Sequence, residues 1–336
     1  MLVDVEKGNY HVEVSDLLHV RGLTVELPTA EGWVCPVNEV SLRIAPGESL
    51  GVVGESGSGK TMLSLTLLGL LPPGARVSGR ALLTTSGAPP KDLAKLRKEA
   101  DWRAVRGCEI AMVFQEPMTS LNPVMRVGAQ IAEAIRAHEP DLAGSELQRR
   151  VSAALERAAV PEPLVRAKQF PHQLSGGLRQ RVMIAVALAA NPKLLIADEP
   201  TTALDVTVQK QILELLDQLR RQMELALLFI THDLGVVAQV ADRVAVMYAG
   251  RIVEEGPTQE VLLSPKHPYT QGLLAASPTI VRRQLLPIPG TVPQLTALPP
   301  GCSFAPRCGY RRPECEEAVP AFRPAQSNHS ARCVLL

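Results

Sequence analysis

The sequence lacks a strong charge of either sign and a signal-like beginning. Its 35 Lys and Arg residues nearly balance 34 Asp and Glu residues, which leaves a formal net charge of +1. Proteins that hold nucleic acid mainly by electrostatics usually carry a basic patch or a high pI, so this balance argues against that class. The first residues, MLVDVEKGNYHVEV, show no basic region followed by an apolar one, as a secretory signal would.

Long apolar runs are also missing. No run reaches the roughly 18 residues that indicate a transmembrane helix. The longest helical candidate, VMIAVALAA from Val182, ends at Asn191-Pro192. We therefore expect no bilayer-spanning segment, and a chain that is made and kept in the cytosol, where thiols stay reduced.

Strand-like and helix-like segments alternate along most of the 336 residues, of which 46% are apolar. NEVSLRI has the period of a strand, and SLGVVG, KLLIAD, ALLFITH and RVAVMYAG are short apolar runs typical of buried strands. This alternation predicts an α/β fold with a parallel sheet covered by helices. Between about residues 126 and 190 the periodicity is helical, which predicts an inserted helical subdomain; within it, Ser145 is the predicted N-cap of SELQRRVSAALERAA.

A glycine-rich stretch, GESGSGKT, fits the pattern G-x-x-x-x-G-K-S/T between a predicted strand and a predicted helix. Its glycines let backbone N–H groups turn toward an anion, and the helix that follows adds its positive dipole end. Lys60 can reach the outer phosphates, and Thr61 can offer a hydroxyl to Mg²⁺. The predicted phosphate-binding residues are Gly54, Glu55, Ser56, Gly57, Ser58, Gly59, Lys60 and Thr61.

The apolar run LLIADEP ends in two acids, Asp198 and Glu199. Adjacent residues of a strand point to opposite sides, so these carboxylates can serve different ligands. One can hold Mg²⁺ while the other faces a water molecule.

A second anion-binding turn is predicted in QLSGGLRQRVMIAVALAA. Ser175, Gly176 and Gly177 place a hydroxyl and two glycines at the start of a long apolar helix, where backbone N–H groups point outward.

These motifs together resemble the ATP-binding subunits of ABC transporters. GESGSGKT, FQEPMTSLNP, LSGGLRQR, LLIADEP, TTALD and ITHD occur in that order, and the resemblance covers essentially the whole chain. It implies a P-loop NTPase core of the RecA-like type, with a parallel sheet, an antiparallel β part and an inserted helical subdomain. It also implies that two ATPase modules pack head to tail with ATP between them.

The resemblance implies a role for each motif residue. Lys60 and the Gly54–Gly59 backbone hold phosphates, Glu199 orients and deprotonates the attacking water, and His232 contacts the γ-phosphate. Ser175, Gly176 and Gly177 complete the site of the partner, and Asp205 communicates across the dimer. The residues implied to arrange Mg²⁺ are Thr61, Gln115 and Asp198.

Two positions depart from the family pattern. Leu178 replaces the polar residue that many relatives carry after LSGG, and we expect little consequence because it follows the turn. Leu27 stands where relatives often carry the aromatic residue that stacks on adenine; Trp33 is our prediction for a substitute.

The C-terminal part resembles ATPase subunits of the peptide and nickel import subfamily, through HPYTQGLLAASP, from His267, and IPGTVPQL. This resemblance implies import of di- or oligopeptides, glutathione or nickel, with a second related ATPase or a second copy, two membrane permease subunits and an extracytoplasmic binding protein. The chain would lie on the cytoplasmic face of the inner membrane as a peripheral subunit. The alternative is a soluble ABC ATPase that acts on ribosomes or DNA, which usually carries two modules or a long coiled coil.

Four cysteines, Cys302, Cys308, Cys315 and Cys333, mark the tail, with 5, 6 and 17 residues between them. Structural zinc sites usually begin with a closer pair, and the cytosol disfavours disulfides, so an iron–sulfur cluster, zinc and unliganded thiols all remain possible on spacing. The subfamily resemblance favours a 4Fe-4S cluster. Four arginines near these cysteines are expected to offset its negative charge: Arg307, Arg311, Arg312 and Arg332. We predict an ATPase domain over 1–264 and a small cysteine-containing domain over 265–336.

Overall fold

The computed structural model describes most of the chain. The described residues are 16–85, 87, 89–116, 120–202, 204–277, 287–326 and 328–336. Among the helices of these segments, none combines the length and the apolar character needed to cross a bilayer.

Strands in the described residues form an antiparallel four-stranded sheet and a larger eight-stranded sheet. The strands in chain order are β1 (Leu18–Thr29), β2 (Gly32–Ile44), β3 (Ser49–Val53), β4 (Arg76–Leu83), β5 (Lys91–Asp92), β6 (Ile110–Val113), β7 (Leu194–Asp198), β8 (Ala226–Thr231), β9 (Arg243–Tyr248), β10 (Arg251–Pro257), β11 (Arg323–Gln326) and β12 (His329–Ala331). The small sheet has the order β2-β1-β4-β5, and the large sheet has the order β11-β12-β10-β9-β3-β8-β7-β6.

Helices cover the large sheet and form the region that the sequence predicts to be helical. The α-helices in chain order are α1 (Lys60–Leu67), α2 (Glu99–Arg103), α3 (Val127–Arg136), α4 (Gly144–Arg157), α5 (Pro163–Arg166), α6 (Gly176–Leu188), α7 (Val206–Met223), α8 (Leu234–Val240), α9 (Thr258–Leu263), α10 (Pro268–Ala276) and α11 (Glu314–Glu317).

The centre of the large sheet is parallel, as the apolar runs predict. Strands β9, β3, β8, β7 and β6 pair in parallel, and every residue of β3, β7 and β8 is buried. Strands that are buried on both faces need apolar residues at every position, which is why these segments are continuous apolar runs in the sequence. The α/β prediction is confirmed.

The carboxyl ends of the parallel strands bring the predicted motifs together. The phosphate loop follows β3, Gln115 follows β6, Glu199 follows β7 and His232 follows β8. Parallel neighbours end at the same edge of a sheet, so residues far apart in sequence share one site.

The helical region between β6 and β7 contains α3, α4, α5 and α6, and its apolar residues share one core with β6 and β7. The prediction that Ser145 caps a helix is wrong. Helix α4 begins at Gly144, and the extended residue before it is Ala143, so Ser145 lies inside the first turn. The helix therefore begins two residues earlier than a cap at Ser145 would allow.

The C-terminal tail continues the large sheet. Strand β12 pairs with β10, and β11 pairs with β12, both antiparallel. Tyr248 of β9, Tyr269 of α10 and Phe304 are buried together, with the ring centroids of the two tyrosines 4.5 Å apart. The tail and the sheet share an apolar core. The division into a domain over 1–264 and a separate domain over 265–336 stays a prediction.

A buried carboxylate fastens the tail to the sheet. Glu254 of β10 is fully buried and accepts hydrogen bonds from the backbone N–H groups of Lys266 (2.7 Å) and His267 (2.8 Å). Its carboxylate also accepts a hydrogen bond from Nε2 of the buried His329, at 2.7 Å. One side chain therefore satisfies three polar groups that come from separate parts of the tail.

We expect Glu254→Ala to lower the free energy of unfolding by about 3 kcal/mol, because it leaves buried donors without an acceptor. Urea unfolding of the purified chain would measure the change. Lys210→Ala, which removes an exposed ion pair with Glu214 on α7, is the matched control and should change stability little. Equal effects of the two substitutions would contradict the prediction.

Candidate functional site

The loop from Gly54 to Gly59 turns tightly between β3 and α1, and glycine is required at both ends. A Cβ at Gly59 would lie 1.9 Å from the carbonyl oxygen of Pro36, and one at Gly54 would lie 2.1 Å from the carbonyl oxygen of Met247. Gly59 also has a φ of 106°, which other residues rarely adopt. The loop can take this shape only with these glycines.

Lys60 lies inside the loop and is 5% exposed. Its Nζ donates to the carbonyl oxygens of Gly54 (2.7 Å) and Glu55 (2.9 Å) and to Oγ of Ser58 (3.2 Å). Burial lowers the pKa of Lys60, while the carboxylates of Glu199, Asp198 and Glu55 act in the opposite direction. The ammonium group is thus held at the centre of the loop, where an incoming phosphate would offer further oxygen acceptors.

Asp198 ends β7 beside this loop and is 2% exposed. Burial raises the pKa of its carboxyl group, against the effects of a hydrogen bond from Thr61 and the charge of Lys60. Within the described residues, its Oδ1 is buried and has no hydrogen-bond partner. A buried carboxylate oxygen without a donor, next to a threonine hydroxyl, fits the oxygen ligands that Mg²⁺ prefers.

Glu199 faces a different set of groups from its neighbour. Its Oε2 accepts from Nε2 of Gln115 (3.1 Å) and from Oγ1 of Thr202 (2.9 Å), and its Oε1 lies 3.1 Å from Nδ1 of His232. Glu199 has a φ of 46°, a left-handed conformation that is uncommon for a residue other than glycine and concentrates at functional sites.

The hydrogen bonds also set the charge of Glu199. Burial alone would raise the pKa of its carboxyl group, but the hydrogen bonds from His232 and Thr202 and the charges of His232 and Lys60 lower it overall. The group is therefore ionised near neutral pH and can accept a proton.

The Ser175 turn faces solvent. Ser175 and Gly176 are exposed, and Oγ of Ser175 caps α6 by accepting from the N–H of Leu178 at 3.4 Å. A Cβ at Gly177 would lie 2.8 Å from the Val208 side chain, so glycine lets α6 approach α7 closely. In the described part of the chain, the turn makes no hydrogen bond to the phosphate loop, and its role in a partner's site stays a prediction.

Two further predicted residues have clear local surroundings. Asp205 caps α7, with its Oδ1 accepting from the N–H of Val208 at 3.0 Å, and is exposed. Trp33 is 44% exposed, and the guanidinium of Arg76 lies 3.9 Å from its ring centroid. Communication through Asp205 and adenine stacking on Trp33 stay predictions.

The four tail cysteines line one pocket, which Phe304, Pro320 and Leu335 also help to enclose. Burial raises the pKa of the Cys302, Cys308 and Cys333 thiols. As the side chains stand, no three His, Cys, Asp or Glu residues of the described segments are close enough together to hold a metal ion.

Two of the four arginines that lie near the cysteines in sequence pair with carboxylates in the structure. Arg307 pairs with Glu55 in the phosphate loop, at 2.7 and 3.0 Å, and Arg311 pairs with Glu316. The offsetting of cluster charge by the four arginines stays a prediction.

Sequence reasoning missed several residues that contact the site. Thr202 is the second residue of TTALD, which directly follows LLIADEP, so its closeness to Glu199 could have been inferred from the sequence. Arg307 and Tyr269, which contact Glu55, lie more than 200 positions away in the chain, and no local pattern could connect them to the loop.

Comparison with known proteins identifies the family. A sequence profile described as ABC transporter matches residues 37–202, and one described as the C-terminal region of oligopeptide/dipeptide transporters matches residues 253–315. The chain is 48% identical to the oligopeptide transport ATP-binding protein OppD of Bacillus subtilis, over 95% of this chain and 88% of that protein. It is 45% identical to the dipeptide transport ATP-binding protein DppD of the same organism, over 95% of this chain and 94% of that protein.

A solved structure agrees with this relationship. The ATP-binding cassette MJ0796, described as a dimer in a post-hydrolysis state bound to ADP and Pi, is 27% identical, with a TM-score of 0.62. The match covers 72% of this chain and 98% of MJ0796. The resemblance seen in the motifs is confirmed: the chain belongs to the ATP-binding proteins of ABC transporters, in the oligopeptide/dipeptide transport family.

Proposed function

We propose that this chain hydrolyses ATP to power the import of di- or oligopeptides, as the ATP-binding subunit of an ABC transporter. The observation that carries the proposal is the position of Glu199, whose carboxylate is held by Gln115, Thr202 and His232 beside the buried Lys60. A proton acceptor beside a phosphate-binding loop is the combination that hydrolysis of a phosphoanhydride requires, which supports the proposal.

The chemistry follows from these contacts. The loop N–H groups and Lys60 bind the phosphates, and a water molecule attacks the γ-phosphorus while the bond from that phosphorus to the bridging oxygen of ADP breaks. Glu199 takes the proton that the water loses, and His232 steadies Glu199 and contacts the γ-phosphate. Thr61, Gln115 and Asp198 would hold Mg²⁺, which neutralises charge on the phosphates when it is bound.

One chain supplies only part of this site. The Ser175 turn is exposed at the start of α6, where its N–H groups and hydroxyl can reach a phosphate on another molecule. We propose that a second ATP-binding subunit, either a copy or a relative, packs head to tail so that each contributes this turn to the other's nucleotide. The dimeric state described for MJ0796 supports this arrangement.

The remaining partners follow from the transport assignment. We propose two membrane permease subunits, an extracytoplasmic binding protein that delivers the peptide, and a peripheral position at the cytoplasmic face of the membrane. The match of residues 253–315 to the C-terminal region of oligopeptide/dipeptide transporters favours this assignment over an ABC ATPase that acts on ribosomes or DNA.

We also propose that the four tail cysteines hold a 4Fe-4S cluster. The support is their shared pocket and the preference of such clusters for four thiolates. The thiol side chains must turn toward one another to bind it. A bound cluster would join the segments that carry Cys302, Cys308, Cys315 and Cys333, so its expected role is structural.

Lys60→Ala and Glu199→Gln test the catalytic assignment in the assembled transporter. We expect each to lower the ATPase rate by at least ~100-fold, because one removes phosphate binding and the other removes the proton acceptor. Glu199→Gln should retain nucleotide binding. Glu214→Gln, on the exposed face of α7, is the control, and near-normal turnover in both site variants would refute the proposal.

Thr202→Ala should lower kcat by about 5- to 10-fold with little change in KM for ATP. The hydroxyl orients Glu199 without touching nucleotide, so its loss affects the reaction and not binding. Steady-state ATPase assays of the assembled transporter would separate the two constants. Thr202→Ser keeps the hydroxyl and should stay near the wild-type rate; an equal loss in both variants would contradict this role.

If the cluster is bound, protein purified without oxygen should contain about four iron atoms and four acid-labile sulfides per chain. It should also be brown, because such clusters absorb visible light. Cys302→Ser should remove most of this iron, whereas Cys108→Ser, outside the tail, should retain it. A colourless, iron-free wild-type protein, with zinc or without metal, would overturn the assignment.

A further inference from the structure

We infer that Arg307 and Tyr269, both in the C-terminal tail, are positioning residues for the phosphate loop and thereby determine its affinity for ATP. Both contact Glu55, the second residue of the loop. The inference rests on the proposed ATP site, because it concerns the shape of the loop that forms that site.

Arg307 holds the Glu55 side chain through two hydrogen bonds, from Nη1 to Oε2 at 2.7 Å and from Nη2 to Oε1 at 3.0 Å. The Arg307 side chain is only 4% exposed. Its Nε donates to the carbonyl oxygen of Pro289 at 2.9 Å, which fixes the direction of the guanidinium. A bidentate charged pair whose arginine is almost fully buried is stronger and more directional than an ion pair between two exposed side chains.

Tyr269 holds the backbone of the same residue. Its hydroxyl oxygen accepts a hydrogen bond from the Glu55 N–H at 2.8 Å, and its ring is fully buried against Tyr248 and Phe304. The Glu55 N–H therefore points toward the tail. The expected part of Glu55 in phosphate binding becomes an indirect one, through the conformation of the loop.

The contact continues to the phosphate-binding lysine. The Glu55 carbonyl oxygen accepts from Nζ of Lys60 at 2.9 Å. With its N–H and its carboxylate held by the tail, Glu55 has little freedom to rotate its peptide groups, so the Lys60 ammonium and the N–H groups that follow keep one arrangement. A loop that is already ordered loses less conformational entropy when ATP binds, which raises affinity.

The cysteine segment sets the position of Arg307. The arginine ends a single 3₁₀ turn, Ala305–Arg307, that lies between Cys302 and Cys308. The Ala305 N–H donates to the Cys302 carbonyl oxygen at 2.9 Å, and the Arg307 N–H donates to the Phe304 carbonyl oxygen at 3.0 Å. The Arg307 side chain thus connects the cysteine segment to the phosphate loop.

Arg307→Ala, Arg307→Lys and Tyr269→Phe test the inference in the assembled transporter, by measuring KM for ATP and kcat separately. We expect Arg307→Ala to raise KM by about 10-fold and Tyr269→Phe by about 3-fold, with kcat changed less than twofold at saturating ATP. Arg307→Lys, which keeps the charge and loses the second hydrogen bond, should lie between wild type and Arg307→Ala. Arg323→Ala, an exposed arginine of the same tail on β11, is the matched control and should leave both constants unchanged.

A double-mutant cycle with Glu55→Gln separates positioning from general destabilisation. Because Glu55→Gln removes the negative charge and one of the two acceptor oxygens, adding Arg307→Ala in that background should raise KM by clearly less than the about 10-fold expected for Arg307→Ala in the wild type. If Arg307 has a structural role alone, its loss should lower the melting temperature, and the effects of the two substitutions on KM should be additive. Additive effects on KM would overturn the inference. If Arg307→Ala does not fold, Arg307→Lys and Tyr269→Phe decide, and KM within twofold of wild type in both refutes it.

Failure of the inference and failure of the ATP site give different results. If Lys60→Ala abolishes hydrolysis while Arg307→Ala leaves KM unchanged, only the positioning role is refuted. If Lys60→Ala also leaves hydrolysis intact, the proposed ATP site itself is wrong.

Discussion

The common edge at which parallel strands end is the constraint on which the rest of this structure depends. Backbone pairing of β3, β8, β7 and β6 fixes where their carboxyl ends lie. That backbone pairing brings the phosphate loop, the two acids of LLIADEP and His232 to the same edge of the sheet. Helices cover one face of the strands, and α1 with the small sheet covers the other. A site on such buried elements can hold a proton acceptor and a phosphate loop in a fixed relation.

Asp198 and Glu199 show how two adjacent residues at the end of one strand acquire different chemistry. Burial raises the pKa of Asp198, whereas hydrogen bonds outweigh burial and lower that of Glu199. The first carries a buried oxygen suited to a cation, and the second is an ionised base. The difference comes from their neighbours, because the two carboxyl groups are chemically alike.

The tail is part of the core of the protein and also contacts the phosphate loop. Its strands extend the large sheet, its carboxylate-centred contacts around Glu254 are fully buried, and its aromatic residues share a cluster with β9. Arg307 and Tyr269 connect the tail to Glu55 of the phosphate loop. A segment that the sequence marks chiefly by its cysteines and prolines therefore contacts the phosphate loop directly.

The sequence by itself determined the local features: the apolar parallel strands, the glycine loop with Lys60, the paired acids and the order of the family motifs. These are readable because periodicity, glycine geometry and motif spacing act over a few residues. The start of α4 was misjudged by two positions, because the backbone conformation at Ala143 and not the side chain of Ser145 sets it. Only the tertiary structure decided that Gln115 reaches Glu199, and that Arg307 pairs with Glu55 across 252 positions. Such pairings depend on how strands and tail pack in space, and no short-range pattern in the chain records them.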